Sequence, residues 1–343
     1  MVQNNEENKK ALILVNTGTP DKPTVSAVRR YLFQFLNDKR IIDIPLIFRW
    51  ILANLIIIPF RAPKSAKLYK QLWTDKGSPL KFHMENLVAK VQKSLANSHD
   101  VYGAMRYGNP SLKKTLRTIE QKNYSEVSIL PLFPQYATST TESIADIVKH
   151  SFLNTPKAPS VQFIRQFYNN KLFINAFAKQ IQAYDITKYD HVIFSYHGLP
   201  LRHIDKMHPG VSSHSCPCTE QLPRHGEYCY KATCYHTSRL LAQALNLSPS
   251  DYTVSFQSRL SKNWLKPFTD ETLIELAKQG VKNVLIASPS FVADCLETTI
   301  ELGHEYKNLF IKQGGTELTL VKSLNDSEIW VEAICDIIQS DNI

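Results

Sequence analysis

Short runs of apolar and β-branched residues alternate with helix-like patterns along almost the whole chain. Each run is typical of a strand buried on both faces, because it lacks the polar alternation of a half-exposed strand. Strands that alternate with helices predict an α/β fold, in which helices cover both faces of parallel sheets. The predicted strands are 11–16, 101–105, 127–132, 161–164, 192–196, 252–256, 284–287 and 318–321.

The length of the chain favours two domains. A chain of 343 residues is long for one domain, since domains of about 150–200 residues are common. With 43% hydrophobic and 21% charged residues, the composition is that of a globular protein with an ample core. No low-complexity linker or short repeat interrupts the pattern, so we place the junction of two α/β halves within residues 157–190.

Charge and cysteine use restrict the expected partners and compartment. The formal net charge is +9, but no aromatic residues are interleaved with the scattered basic ones, so we expect no nucleic-acid partner. An anionic small molecule or an acidic lipid surface fits the charge equally well. The polar segment 1–10 leads into a strand, and the most apolar uncharged run, 50–60, is shorter than the ~20 residues of a spanning helix. We therefore expect a cytoplasmic protein whose cysteines are reduced or bound to metal.

Two predicted strands end in residues that carry chemistry. Segment 191–200 reads HVIFSYHGLP, which places His197 at the carboxyl end of a strand, the edge where parallel sheets bind ligands. Segment 284–301 reads VLIASPSFVADCLETTIE, so Asp294, Glu297 and Glu301 follow another strand. If this segment is helical, one turn separates the two glutamates and both lie on one face. A histidine and an acidic ladder at two strand ends predict proton exchange or guidance of a cation.

Residues 203–238 break the alternation and contain four of the six cysteines. Cys216, Cys218, Cys229 and Cys234 have the spacing C-x-C-x10-C-x4-C, in a segment rich in Pro, Gly, Ser and His. Four thiolates in so short a loop predict a metal site. The spacing is not that of common zinc ribbons, so zinc and an iron–sulfur cluster remain equal alternatives, with free thiols as a third. Spare ligands are available at His214, His225 and His236, each of which is also compatible with an ordinary surface histidine.

The densest apolar segment is 41–63, IIDIPLIFRWILANLIIIPFRAP. Its prolines and crowded apolar side chains favour an exposed or ligand-facing lip, residues 41–60, over a regular core helix, although a core helix stays open. With Arg49 and Arg61 as basic neighbours, this lip is expected to touch a membrane surface peripherally.

The motifs SYHGLP, VADCLETTIE, LVNTGTP and FPQYATSTTES together resemble the ferrochelatase family. They occur in the family's order and span residues 12–338. The resemblance implies two Rossmann-like domains, 1–170 and 171–343, each a parallel sheet flanked by helices, with a porphyrin cleft between them. It implies a lyase that inserts Fe²⁺ into protoporphyrin IX and releases two protons. A chelatase for another metal or tetrapyrrole, and a non-enzymatic iron–sulfur or haem-binding module, remain as alternatives.

The family's functional residues carry over onto positions in both halves. His197 and Glu297 match catalytic positions, and Glu301 lies beside them on the same acidic ridge as a further Fe²⁺ contact. The division of metal and proton roles between His197 and Glu297 stays open. The positions that match porphyrin contacts are Thr17, Arg61, Ser78, Arg106, Tyr107, Trp264 and Phe291.

The chain also departs from the family. Many relatives have histidine where this chain has Cys295, which leaves the role of that position open. Some bacterial relatives hold an internal cluster after the SxHGLP motif, so the resemblance favours a 2Fe-2S cluster over Zn²⁺ in the insert, about 205–237. Relatives that use coproporphyrin III tend to carry tyrosine at Thr17, so protoporphyrin IX is the expected substrate. Cys335 fits a buried thiol, and the oligomeric state stays undecided.

Overall fold

The computed structural model describes residues 10–122, 124–153, 158–208, 210–212 and 215–340, and its strands form two parallel sheets. The first sheet has the order β2-β1-β3-β4 and the second β6-β5-β7-β8, with every pairing parallel. The strands are β1 (Lys10–Asn16), β2 (His99–Met105), β3 (Glu126–Pro131), β4 (Ser160–Phe163), β5 (His191–His197), β6 (Tyr252–Gln257), β7 (Asn283–Ala287) and β8 (Glu317–Leu320). The predicted α/β class is confirmed, and all eight predicted strands are present with ends shifted by one or two residues.

Helices connect and cover the strands. Those of the first half are α1 (Val25–Leu36), α2 (Leu46–Ile51), α3 (Ile58–Leu72), α4 (Pro79–Ser94), α5 (Leu112–Gln121) and α6 (Ser143–Phe152). Those that follow are α7 (Lys171–Gln182), α8 (Leu201–Asp205), α9 (Tyr230–Ala244), α10 (Thr269–Lys278), α11 (Lys307–Lys312) and α12 (Glu328–Gln339). Three π-helical segments occur among the described residues, at Leu52–Ile57, Thr138–Glu142 and Leu296–Tyr306.

The buried central strands explain why periodicity identified the sheets. In β1, the residues from Ala11 to Val15 are fully buried, because β2 and β3 flank the strand and helices cover its faces. Ala11, Ile13 and Val15 share a core with the apolar faces of α5 and α6. In the second sheet, Ile193 of β5 lies in a corresponding core with residues of α10 and α11.

The chain divides into two compact units. The first comprises the described residues within 10–133, 138–166 and 326–340, and the second comprises those within 134–137 and 167–325. The division at 170 predicted from sequence therefore differs at the C-terminus, because α12 returns to the first unit and packs on α4. His83 Nδ1 lies 2.5 Å from Asp326 Oδ1, and Lys90 pairs with Glu328 at 3.0 Å, which fixes this return.

The predicted lip is part of one long helix. α2, the π-helical segment and α3 form a continuous helix of 27 residues, Leu46–Leu72, which is long and apolar enough by length and composition to cross a membrane. The uncharged run 50–60, from which the sequence analysis judged the segment too short to span, is shorter than this helix. The helix continues past the charged residues on either side of the run. One face, including Ala53, Ala62 and Ala66, is buried, and the α3 part packs against α1. Only 22% of its most apolar window is buried, so its remaining faces are open.

Candidate active site and metal centre

His197 is the last residue of β5, where an almost completely buried strand reaches the edge of the sheet. Gly198 follows it because there is no room for a side chain: a Cβ there would lie 2.8 Å from the Gln257 carbonyl oxygen. The Gly198 N–H donates to the same carbonyl, which ties the end of β5 to the end of β6. The sequence prediction of a strand-end histidine is thus matched by the structure.

The imidazole of His197 is held in one tautomer by its neighbour. Its Nδ1 lies 2.6 Å from the Gly198 carbonyl oxygen, which can only accept, so in the neutral imidazole Nδ1 carries the proton and Nε2 has the lone pair. Two aromatic rings flank it, with centroids 6.4 Å away for Trp264 and 6.3 Å away for Phe291. The structure therefore brings three of the sequence-predicted residues together.

The acidic ridge lies on a π-helical segment, Leu296–Tyr306, rather than on the α-helix that the sequence suggested. Cys295 caps this segment, and its N–H donates to the Thr298 hydroxyl oxygen at 2.9 Å. Because the π turn is wider than an α turn, Glu297 and Glu301, four residues apart, still share a face. π turns inside helices occur frequently at functional sites.

Glu301 is a buried carboxylate with a full set of donors. Its oxygens accept from the Ser258 N–H at 2.8 Å, the Ser258 hydroxyl at 2.5 Å and the Tyr306 hydroxyl at 3.0 Å. Burial raises the pKa of Glu301, and these hydrogen bonds and the charge of His197 oppose the rise. The nearby Glu297 raises the pKa further, so His197, Glu297 and Glu301 form one electrostatic group.

The backbone of Glu297 is held by a hydrogen bond, and its carboxylate lies beside the Cys295 thiol. The Gln257 amide donates to the Glu297 carbonyl oxygen at 2.9 Å, and Gln257 itself accepts from Ser195 at 2.8 Å. Burial raises the pKa of the Cys295 thiol, and the charge of Glu297 raises it further. Cys295 is therefore a neutral thiol beside Glu297.

Asp294, the first residue of the sequence-predicted acidic ladder, is committed to structure. Its carboxylate accepts from the Ser323 N–H at 2.9 Å and from the Asn325 side chain at 2.8 Å. Asn325 has a φ of 52°, a left-handed conformation that asparagine tolerates. Asp294 therefore closes a loop and does not extend the ridge.

Four predicted substrate contacts meet at the carboxyl end of β1 in the first unit. The Tyr107 N–H donates to the Thr17 carbonyl oxygen at 2.9 Å, and Ser78 shares a 2.9 Å hydrogen bond with Thr19. Gly18 must be glycine, since its φ is 113° and a Cβ would lie 1.8 Å from the Tyr107 carbonyl oxygen. The LVNTGTP motif is thus a tight loop that places Thr17 next to the Arg106–Tyr107 segment.

Arg106 and Tyr107 are bound to a buried acid that the sequence analysis did not identify. The Arg106 guanidinium pairs with Asp38, and the Tyr107 hydroxyl donates to the same carboxylate at 2.8 Å. The Ser143 hydroxyl adds a 2.5 Å hydrogen bond to Asp38. Burial raises the pKa of Tyr107 far above its usual range. Their predicted contact with a propionate stays a prediction, and Asp38 already neutralises the charge of Arg106.

Arg61 and Arg49 have different environments within the long helix. Arg61 is exposed. Arg49 is buried, and its guanidinium donates to the carbonyl oxygen of Ile44 at 3.1 Å. The sequence expectation that Arg49 faces a membrane surface is therefore wrong, because its charge is used to hold the chain before α2.

The cysteine-rich insert gathers three of its four cysteines. Cys218 and Cys229 have their sulfurs 3.7 Å apart, and Cys216 lies 3.2 Å from His225 Nε2. His208, which the sequence analysis did not select, places its Nε2 3.4 Å from the Cys218 sulfur. The Cys218 thiol and the Ala232 N–H both donate to Cys229 and lower its pKa to about 6, which favours the thiolate that metals bind.

The other cysteines and histidines considered in the sequence analysis have different environments. The insert was expected to end near 237, but α9 begins at Tyr230, so Cys234 lies inside a helix and is fully buried. His236 stacks edge-on against Tyr168, with ring centroids 5.8 Å apart. His214 lies outside the described residues. Cys335 on α12 is only half-buried.

Three functional contributors were missed from sequence for identifiable reasons. Ser258 directly follows β6, so the strand-end rule that selected His197 would have found it. Tyr306 and His208 carry no such signal. Tyr306 reaches Glu301 because the segment is π-helical, and His208 lies eight positions before Cys216, outside the cysteine spacing that indicated the site.

Comparison with known proteins agrees with the motifs. A sequence profile described as Ferrochelatase matches residues 9–342. A ferrochelatase of Legionella pneumophila (strain Paris) is 45% identical over 333 residues, covering 96% of this chain and 98% of that protein. A ferrochelatase of Coxiella burnetii (strain Dugway 5J108-111) is 41% identical over 338 residues, covering 97% and 93%. Among solved structures, SirB from Bacillus subtilis with Fe³⁺ aligns with a TM-score of 0.56 at 10% identity, over 96% of this chain and 94% of that chain, which indicates a shared fold.

Proposed function

Since this chain belongs to the ferrochelatase family, we propose that it inserts Fe²⁺ into a porphyrin and releases the two pyrrole protons. The observation that carries the proposal is the group formed by His197, Glu297 and Glu301 at the carboxyl edge of the second sheet. A base and two carboxylates are the residue types that metallation requires, because protons must leave the porphyrin as the metal enters.

His197 is the proposed proton acceptor. Its Nδ1–H is committed to the Gly198 carbonyl oxygen, so Nε2 is the atom that receives a pyrrole proton. Trp264 and Phe291 flank the ring and provide apolar surface for a flat macrocycle. A porphyrin held against these rings would present its nitrogens to Nε2.

Glu297 and Glu301 are the proposed contacts of the Fe²⁺ substrate. Carboxylate oxygens suit Fe²⁺ before it exchanges its ligands for pyrrole nitrogens. Glu301 is held by Ser258 and Tyr306 and keeps its position, whereas Glu297 is held only through its backbone carbonyl and its thiol neighbour. We infer that Glu301 positions the entering ion. Glu297 makes the closer contact, either with the metal or with the protons that leave the porphyrin.

The direct test is insertion of Fe²⁺ into protoporphyrin IX by the purified full-length protein, followed by haem absorbance. Haem formation that depends on protein concentration supports the proposal. A protein that metallates only with Co²⁺ or Ni²⁺, or only a different tetrapyrrole, would indicate a related chelatase. Haem binding without any insertion would indicate a non-enzymatic module.

The proposed porphyrin is protoporphyrin IX rather than coproporphyrin III. Thr17, in the tight loop after β1, is the residue on which this choice rests, and Arg106 beside it is already paired with Asp38. A four-propionate substrate needs more free cations than a two-propionate one, since unpaired charge in a cleft is unfavourable. We expect kcat/KM to be at least about tenfold higher for protoporphyrin IX. A preference for coproporphyrin III in the same assay would contradict this choice.

The proposed resident cofactor is a 2Fe-2S cluster in the insert, with Zn²⁺ as the alternative. Donors of the required type are present: Cys216, Cys218 and Cys229 are buried thiols whose sulfurs lie close to ring nitrogens of His208 and His225. His208 is buried, and its Nε2 faces the Cys218 sulfur at 3.4 Å. When bound, the cluster supplies ligand bonds that order a segment with little apolar core of its own.

We also propose that the protein works in the cytoplasm and contacts the membrane peripherally through the long helix. Its unpaired cysteines fit a reducing compartment. Large apolar side chains are exposed along the helix, with Ile47 at 72% and Phe60 at 72% of their full accessibility. Beside it, an open groove of about 480 Å³ is lined by Arg29, Arg30, Phe33, Gln34, Asn54 and Ile58, so basic and apolar groups adjoin. One helix face is packed on α1, which favours a helix that lies in the interface over one that spans.

Membrane contact should be measurable as co-sedimentation with anionic liposomes. Raising the ionic strength from about 0.01 M to about 1 M shortens the Debye length from about 30 Å to about 3 Å and should release much of the bound protein. The double variant Arg29→Gln/Arg30→Gln should bind more weakly at low salt, whereas Lys113→Gln/Lys114→Gln, on exposed positions of α5, should not. Ile47→Ser should weaken binding, and Leu260→Ser, exposed to 73% in the second unit, is its control. Wild-type protein that ignores liposomes at low salt would exclude this surface role.

A further inference from the structure

The carboxyl ends of β5 and β6 lie side by side, and His197 and Gln257 are register partners in the parallel pairing of these strands. We propose that Gln257 is a positioning residue that sets the Glu297 carboxylate relative to the His197 imidazole. Only 1% of Gln257 is exposed, so it acts through these two neighbours rather than on the porphyrin or the metal. The inference rests on the proposed function and deepens it, because it names a residue that holds the reacting groups in one arrangement.

Gln257 contacts both sides of the proposed reacting group with different atoms. Its backbone carbonyl oxygen accepts the N–H of Gly198, the residue after His197, at 2.8 Å. Its side-chain Nε2 donates to the Glu297 carbonyl oxygen at 2.9 Å, at the start of the π-helical segment Leu296–Tyr306. One residue therefore ties the turn after β5 and the first turn of the acidic ridge to the end of β6.

The orientation of the Gln257 amide follows from its partners. The Glu297 carbonyl oxygen can only accept, so the NH₂ group faces Glu297 and Oε1 faces the opposite side. There Oε1 accepts the Ser195 hydroxyl at 2.8 Å, and the Ser288 hydroxyl lies 3.5 Å from the same oxygen. A flipped amide would set two oxygens against each other at Glu297. The amide therefore has one favourable orientation.

A chain of buried hydroxyls keeps the proton of Ser195 on Gln257. Because Ser195 donates to Gln257, it accepts from the Thr269 hydroxyl, which lies 2.9 Å away. Thr269 in turn accepts from the Ser255 hydroxyl at 2.9 Å. The three hydroxyl-bearing residues are fully buried, and every link runs toward Gln257. Since hydrogen bonds are strengthened in surroundings of low dielectric constant, this satisfied network makes the amide rigid.

A polar network is not what packing alone requires in such a sheet. In β1, the corresponding strand of the first sheet, residues 11–15 are all apolar and fully buried. β5 instead places Ser195 on the same face as His197, and β6 places Ser255 and Gln257 opposite them on that face. A buried polar group adds little net stability over an apolar one, and its best-attested use is to specify one arrangement.

The first test is haem formation from protoporphyrin IX by Gln257→Met. Methionine has a similar length but no donor, so it releases Glu297 and leaves the backbone hydrogen bond to Gly198. We expect kcat to fall by about 10- to 100-fold, because a shift of about 1 Å at a reacting group can cost about 10²-fold. KM for the porphyrin should change little. Gln162→Met is the matched control, since Gln162 accepts from the buried Ser128 hydroxyl at 2.8 Å across two strands of the first sheet, and it should leave kcat unchanged.

Gln257→Glu adds a readout that is specific to the donor. A neutral carboxyl has one donor and one acceptor, so it can make both side-chain hydrogen bonds of the amide, whereas a carboxylate cannot donate to Glu297. Burial raises the pKa of the introduced carboxyl above the ordinary value of about 4.3. The ratio of its kcat to the wild-type kcat should be close to one below that pKa and should fall as the pH rises through it. Circular dichroism at each pH identifies the range in which both proteins are folded.

A full rate in folded Gln257→Met, an equal loss in Gln162→Met, or a ratio for Gln257→Glu that does not depend on pH would each overturn the inference. If Gln257→Met does not fold, the ratio for Gln257→Glu decides. Failure of both variants to fold would make Gln257 a residue of the fold alone and would also overturn the positioning role.

Crystal structures of the wild type and of Gln257→Met test the geometry without turnover. The first turn of Leu296–Tyr306 should move away from the end of β6 in the variant, and the Glu297 carboxylate should move with it. Gly198 should stay in place, because the backbone carbonyl of residue 257 is unchanged. An unchanged Glu297 in the variant would contradict the inference. Wild-type protein that inserts no iron would refute the proposed function, and this structural comparison would still decide the role of Gln257.

Discussion

Replacing His197 with alanine should lower kcat for iron insertion by about 10²- to 10⁴-fold, the range that general bases contribute. Nε2 is the only atom at the end of β5 with a free lone pair and flanking aromatic rings, among the residues the structure describes. Porphyrin binding should change little, because Trp264 and Phe291 remain. The measurements are haem formation for kcat and porphyrin fluorescence for binding.

A matched control lies on the same strand. His191 is at the opposite end of β5, and its Nε2 shares a 2.8 Å hydrogen bond with Thr253, so His191→Gln should leave kcat almost unchanged. Glu297→Gln should be impaired as strongly as His197→Ala, since it removes the charge next to the reacting group. A normal turnover rate in His197→Ala would show that another group accepts the pyrrole protons.

The strands were predictable from sequence because the physics that forms them is local. β1, from Lys10 to Asn16, is flanked on both edges and covered on both faces, so every residue after the first is apolar or small enough to be buried. The same reasoning identified His197, since a polar residue that ends such a run must lie at the edge of the sheet. The fold class and the position of the proposed base thus follow from the burial pattern of the strands.

The long helix and the return of α12 were not predictable in the same way. Apolar residues lie on most sides of residues 46–60, so this part lacks the single stripe that identifies an amphipathic helix, and Pro59 and Pro63 argued against helix. α12 has a strong helical pattern, but only tertiary contacts such as His83 with Asp326 assign it to the first unit.

The site shows the same limit. Strand ends indicated Glu297 and Glu301, but the donors that hold Glu301 come from the end of β6 and from a π turn, which residue spacing does not reveal. Cysteine spacing indicated a metal site and misplaced its boundary, because α9 begins directly after Cys229. The pairing of Arg106 with Asp38 was invisible for a similar reason, since 68 residues separate the partners.

The insert and His197, the proposed base, are connected through one side chain. Cys229 caps α9, and the next residue, Tyr230, donates its hydroxyl to the His197 carbonyl oxygen at 2.9 Å. A change in the position of Cys229 therefore reaches His197 within one residue and one hydrogen bond. The proposed cluster would need no redox role to influence iron insertion, because its ligand Cys229 stands at the start of α9.

Cys229→Ser should remove the cluster, lower the melting temperature by several degrees and reduce iron insertion. Serine is itself a favourable N-cap, so it can still accept the Ala232 N–H, and the helix start loses only its metal bond. Since the insert has little core, lost ligand bonds are lost folding free energy. Wild-type protein purified without oxygen should contain about two irons and two sulfides per chain and show sulfur-to-iron charge-transfer bands, which the variant should lack.

Two further variants separate the effect of losing the cluster from the effect of losing the hydrogen bond between Tyr230 and His197. Cys335→Ser changes a half-buried thiol on α12 in the other unit and should keep the iron, the spectrum and the rate. Tyr230→Phe should keep the iron but lower the rate, because the hydrogen bond to the His197 carbonyl oxygen is removed while Cys229 is unchanged. If Cys229→Ser loses its iron and retains full activity and melting temperature, the cluster does not order the insert. If Tyr230→Phe also retains the full rate, the path from Cys229 to His197 does not carry the effect.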